Sequence, residues 1–132
     1  MADQDPSGIV SGLEGRRILI VEDEFLVSTE ISLTLEEAGA EVIGPAGTVD
    51  EGLSLTTEEN RLDGAILDVD LHGKDVYPVA ERLAAISIPF IFHTGHGGRA
   101  ELNKRFPTAT VCPKPTLPEM LMAALLERLK KG

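Results

Sequence analysis

The chain has no tryptophan, one tyrosine, four phenylalanines and a single cysteine in 132 residues. One thiol, Cys112, cannot close an internal disulfide, so the fold must rest on packing, and a reducing cytoplasm is the simplest expected compartment. Basic residues are also scarce. Twelve Lys and Arg against 22 Asp and Glu leave a formal charge of −10, which speaks against a nucleic-acid partner because phosphate binding relies on clustered cations. No apolar run approaches the roughly 20 residues of a membrane span, so no membrane partner is expected. The opening MADQDPSGIVSGLEG lacks the basic start and apolar core of a signal peptide. Its Gly, Ser and Asp content reads as a mobile leader over 1–15 that carries no chemistry. Residues 16–132 then have the length of one domain with its own core.

What is present alternates. Arg16 to Asp23 (RRILIVED) sets four apolar residues between charges, the pattern of a strand buried on both faces and therefore of a parallel sheet. Val27, Ile31, Leu35 and Ala38 then share one helical stripe that stops at Gly39. Glu41 to Pro45 is a short strand, and Thr48-Val49-Asp50-Glu51 has the spacing of a capping box, opening a helix to about Glu59. Leu62 to Val69 is a third strand, Asp75 to Ala85 a helix with Pro78 early enough to be tolerated, and Ile88 to Phe92 a fourth strand. A glycine-rich turn, Gly95 to Gly98, precedes a short helix from Arg99 to Arg105 and a fifth strand from Ala109 to Cys112. Thr116-Leu117-Pro118-Glu119 reads as a second capping box before a last helix ending in Lys130-Lys131. Five βα units predict an α/β fold, a doubly wound parallel sheet with helices on both faces.

In such sheets ligands bind just beyond the carboxyl ends of the strands. The residues expected there are Glu22 and Asp23 after strand one, Asp68 and Asp70 after strand three, Thr94 after strand four and Lys114 after strand five. Carboxylates gathered from two strand ends must bind a cation or raise one another's pKa. Hard oxygen ligands suit magnesium, which commonly keeps waters and takes a phosphoryl oxygen. Asp68 follows Ala65-Ile66-Leu67 and so emerges from a rigid strand as a preorganised nucleophile. Lys114 and a metal would neutralise charge, while the Thr94 hydroxyl and the Gly95 amide would donate to phosphoryl oxygens.

These motifs, VEDE, ILDVDL, HTGH and PKP, resemble in order and spacing the response-regulator receiver family of two-component systems, over roughly Arg16 to Lys131. The resemblance implies a flavodoxin-like (βα)5 fold of strand order 2-1-3-4-5. It implies that Asp68 is the phosphoacceptor, charged by a histidine kinase or a histidine phosphotransfer protein. Asp23 would ligate magnesium directly, Glu22 through water and Asp70 by its backbone carbonyl. Thr94 and Lys114 would contact the phosphoryl group, and Lys114-Pro115 would be a cis bond. With no output domain, signalling would run through a downstream protein or a phosphate sink. No substrate turnover is expected beyond self-phosphorylation and autodephosphorylation.

PFIFHTGHGG further resembles a narrower group of single-domain receivers of alphaproteobacteria whose fourth strand ends Phe-Ala-Thr-Gly-aromatic, with His93 in place of Ala and His96 in place of the aromatic. Many receivers carry a switch aromatic three residues before the lysine, where this chain has Val111. The loop from Gly95 to Gly98, carrying His96, is therefore the expected switch. His93 and His96 without a third soft ligand do not make a zinc site. His72 belongs to the loop after strand three, and Cys112 packs as a small apolar residue. Glu24, Glu36, Glu37, Glu58 and Glu59 read as solvated surface.

Two rival functions remain. ILDVDL mimics the nucleophile motif of haloacid-dehalogenase-type phosphohydrolases, but there it lies on the first strand, and no acidic pair follows Lys114 here. A receiver-fold binding module that is never phosphorylated is the other, and the retained Asp68, Thr94 and Lys114 weigh against it.

Overall fold

The computed structural model describes residues 12–95 and 99–131. Five strands form one parallel sheet: β1 (Arg17–Val21), β2 (Glu41–Ala46), β3 (Gly64–Asp68), β6 (Phe90–Thr94) and β7 (Thr110–Pro113). Their spatial order, β2-β1-β3-β6-β7, is the expected 2-1-3-4-5 once a small hairpin, β4 (Asp70–Leu71) with β5 (Lys74–Asp75), is set aside. The helices are α1 (Phe25–Glu37), α2 (Val49–Ser54), α3 (Tyr77–Ala85), α4 (Arg99–Arg105) and α5 (Pro118–Lys131).

The pleat decides which helix meets which side chain, because successive residues of a strand face opposite sides. Leu19, Val21, Ala65, Leu67, Phe90 and Phe92 meet α3 through Tyr77, Val79, Ala80 and Leu83, and α4 through Leu102. Ile18, Ile20, Ile66, Ile91 and Cys112 meet α1 through Ile31 and Leu35, and α5 through Leu121, Met122, Leu125 and Leu126. Both faces of the central strands are thus buried, which explains their continuous apolar runs.

The core also takes a residue that the sequence pattern assigns to the leader. Leu13 is fully buried in the α1–α5 cluster, and the turn behind it is held by Gly15 N–H donating to Gly39 O at 2.9 Å. The packed fold therefore begins before Arg16. The rest of the leader, 1–11, lies outside the described residues.

Local differences have local causes. The second helix stops at Ser54 rather than near Glu59, because Thr56 Oγ1 donates to Leu53 O and Asn60 Nδ2 to Leu55 O, taking carbonyls a continuing helix would use. Its cap forms as expected, with Thr48 Oγ1 accepting from Glu51 N–H at 3.1 Å, although the Glu51 carboxylate reaches Gly47 N–H instead of Thr48. The second capping box does not form. Thr116 Oγ1 donates back to Pro113 O, and α5 opens on Pro118 at its first position. Gly44 has φ +100°, and a Cβ there would stand 2.8 Å from Ala46 N, so the bend at the end of β2 needs glycine. Lys114-Pro115 and Gly44-Pro45 are both cis.

Candidate functional site

The carboxyl ends of β1, β3, β6 and β7 open on one cleft of about 450 Å³, lined by Asp23, Glu24, Asp68, Asp70, His72, Thr94, Gly95 and Lys114. Asp68 is the last residue of β3 and is buried, so its carboxylate is carried at a fixed place by a strand buried along its whole length. Thr94 ends β6 and is also buried. Its carbonyl accepts from Lys114 N–H at 2.7 Å, which ties the lysine loop to the end of the neighbouring strand.

Lys114 organises the charges. Its Nζ lies 2.7 Å from Glu24 Oε1, 3.2 Å from Glu22 and 3.4 Å from Asp68 Oδ2. Burial works against the ammonium, but the hydrogen bond to Glu24 and the charges of Asp68 and Glu22 outweigh it and hold its pKa above the usual range. Three carboxylates nonetheless share one ammonium. Glu22, enclosed beneath the cleft, is pushed up to about 7, first by burial and then by the charge of Asp68. Asp68 is raised as well, by burial, with Glu22, Lys114 and the Asp70 N–H pulling the other way. Glu24 is lowered by its hydrogen bond to Lys114.

Oxygens of Glu22, Glu24 and Asp68 lie within 4.8 Å of one another, an acidic cluster of a kind that can bind a metal ion. All its donors are hard, and the carboxylates are in excess of the nearby cation, which fits magnesium better than a soft metal.

The loop after β3 is tied back across the cleft. Asp70 N–H donates to Asp68 Oδ1 at 3.3 Å, and Asp70 Oδ1 accepts from Gly73 N–H at 2.9 Å. His72 and Gly73, with φ 52° and 84°, form the two-residue turn of the β4–β5 hairpin. That turn aims His72 N–H at Asp23 Oδ2, 2.9 Å away, with His72 Nε2 3.4 Å from the same oxygen.

No protein-family model matches the chain. Among curated proteins it is 30% identical over 116 residues to the phyllosphere-induced regulator PhyR of Methylorubrum extorquens, an alignment covering 85% of this chain and 43% of PhyR. Among solved structures it is similar to the response regulator PhyR of Brucella abortus, at 31% identity and TM-score 0.77, over 98% of this chain and 52% of that one. It is also 40% identical to SdrG of Sphingomonas melonis Fr1, with TM-score 0.70, over 85% of this chain and 97% of SdrG. The chain belongs to the response-regulator receiver family. It spans less than half the length of the curated relatives it matches.

In this receiver, Asp23, Asp68, Asp70, Thr94, Gly95 and Lys114 meet in one cleft, with Glu22 beneath them. Val111 stands apart, packed against the core cluster of the α3–α4 face. The rings of that face are Tyr77, Phe90, Phe92 and Phe106, with Phe92 and Phe106 5.4 Å apart. His96 lies outside the described residues. Two residues carry more than their sequence reading. Glu24, read as solvated surface, makes the shortest contact to Lys114, and a third acid directly after Glu22-Asp23 was the available signal. His93 is buried on β6, and neither ring nitrogen has a hydrogen-bond partner among the described residues. Burial, then the charge of Lys114, pushes it down to about 4.

Proposed function

We propose that this receiver is a phosphoacceptor, the Asp68 carboxylate taking a phosphoryl group from the phosphohistidine of a histidine kinase or a histidine phosphotransfer protein. The observation that carries the reading is the position of Asp68, buried at the end of β3 yet opening into a cleft, with Lys114 Nζ at 3.4 Å.

Asp68 Oδ attacks phosphorus, and the phosphorus–nitrogen bond of the donor breaks, its electron pair leaving with the imidazole. The receiver aligns the nucleophile and stabilises charge on the transferred group. Lys114 provides a positive charge and Thr94 a hydroxyl donor, with the Gly95 amide as a further donor. Glu22, Asp23, Asp68 and the Asp70 carbonyl would hold magnesium, which neutralises charge between the carboxylates and the phosphoryl oxygens. His72 N–H fixes one oxygen of Asp23 and so orients the other. The acyl phosphate is later hydrolysed on the same protein, which is turnover of its own modification only.

The receiver fold, with Glu22-Asp23 directly after β1 and Asp68 at the end of β3, favours this over a phosphohydrolase. The output is a protein partner or a sink for phosphate, and the site is read as cytoplasmic. Among the described residues no helix is long and apolar enough to cross a membrane. Residues 16–132 are read as the receiver domain, with Leu13 of the preceding segment packed into its core. Incubating the chain with magnesium and acetyl phosphate and weighing the intact product tests the reading: a base-labile phosphoryl adduct is expected, and it disappears in Asp68→Asn.

A further inference from the structure

We propose that Glu24 is the relay of this receiver, exchanging Lys114 for the buried imidazole of His93 when Asp68 is charged. The inference rests on the phosphoacceptor reading above.

Three observations carry it. Glu24 makes the closest of the three contacts to Lys114, 2.7 Å against 3.4 Å for Asp68, so in the uncharged chain the ammonium is shared away from the acceptor. His93 is 4% exposed and both its nitrogens lack a partner among the described residues, a condition that costs about 1–3 kcal/mol for a buried polar group. Glu24, Lys114 and His93 also line one groove of about 340 Å³ between α1 and α5. A phosphoryl group on Asp68 adds negative charge and strong acceptors on the other side of the ammonium. Lys114 then turns to the phosphoryl oxygens, and Glu24 loses its cation while still facing the groove. His93 is held neutral by burial and so keeps one N–H to donate. A charge-assisted hydrogen bond from that N–H to the Glu24 carboxylate satisfies both groups.

The exchange has a mechanical consequence. Glu24 is the N-cap residue of α1 and its side chain caps nothing there, so it can swing without uncapping the helix. It directly precedes Phe25 and Leu26, which are 78% and 79% exposed. Drawing Glu24 toward β6 moves the head of α1 and its apolar pair. This supplies a response to phosphorylation that needs no aromatic at Val111.

The test uses the full chain, labelled with 15N-histidine, with magnesium and beryllium fluoride as the phosphoryl mimic. Bound fluoride is followed by 19F NMR and the His93 ring by 15N–1H spectra. The relay predicts a slowly exchanging His93 N–H that appears with the mimic, is lost in Glu24→Ala and persists in Glu30→Ala, the other acid of the groove. A bound fluoride signal with an unchanged His93 ring, or a new N–H that survives Glu24→Ala, overturns the relay and leaves the phosphoacceptor reading standing. No bound fluoride at all overturns both.

Discussion

Asp68 and His93 are register partners on β3 and β6 and therefore project from the same face of the sheet, the carboxylate reaching Lys114 at 3.4 Å and the imidazole without a hydrogen bond to any described residue. The strand that carries Thr94 into the cleft thus also carries a polar group unsatisfied among the described residues, in register with Asp68. Such a group is a cost to stability that an apolar side chain of similar size would remove. His93→Leu should raise stability by about 1 kcal/mol in urea unfolding, with the slope unchanged. A loss of similar size would show that the imidazole has a partner in solution.

Glu22 gives the metal-free protein a pH signature. Its folded pKa, about 7, lies above the ordinary 4.5. The protonated form is thus favoured by folding: its contribution is complete below pH 4.5 and is lost as pH rises through 7. With a chelator present, stability should fall by about 2–3 kcal/mol at most between those limits. Glu22→Gln should flatten the fall, and its melting temperature should exceed that of the parent more at pH 8 than at pH 5. Magnesium favours the charged carboxylate and should shrink the same difference.

Lys114 is enclosed by three carboxylates, and its removal leaves Glu22 and Asp68 without their shared cation. Lys114→Met should destabilise the metal-free protein by about 1–3 kcal/mol at pH 7.5, less than a fully buried pair because the side chain is partly exposed. The loss should diminish at pH 5, where Glu22 is protonated. Equal losses at both pH values would contradict this account of the charges.

Most of the fold was legible because the central strands β1, β3 and β6 are short apolar runs leading into polar residues at the rim, the pattern of parallel strands buried on both faces. The same feature brought Asp23, Asp68, Thr94 and Lys114 to one cleft. Glu24 was hidden for the opposite reason: its partner lies 90 positions away, and a charge beside a helix start looks the same whether it faces water or an ammonium. Leu13 is one apolar residue in a glycine- and serine-rich stretch, where no periodicity can announce burial. The end of α2 depends on Thr56 and Asn60 side chains competing for carbonyls, which propensity alone does not resolve. The β4–β5 hairpin has strands of two residues, too short to show alternation.

Leu13 offers a check on where the packed unit begins. Leu13→Ala should cost about 2–4 kcal/mol in urea unfolding, as for a fully enclosed leucine. A change under about 0.5 kcal/mol would return Leu13 to the leader.

Borohydride reduction identifies the acceptor, because it converts an aspartyl phosphate to homoserine. Trypsin releases Leu62 to Lys74 as one peptide holding Asp63, Asp68 and Asp70. After treatment with magnesium and acetyl phosphate, fragmentation should place homoserine at position 68 alone. Homoserine at 63 or 70, or an unmodified peptide from a protein that binds magnesium, would contradict the account.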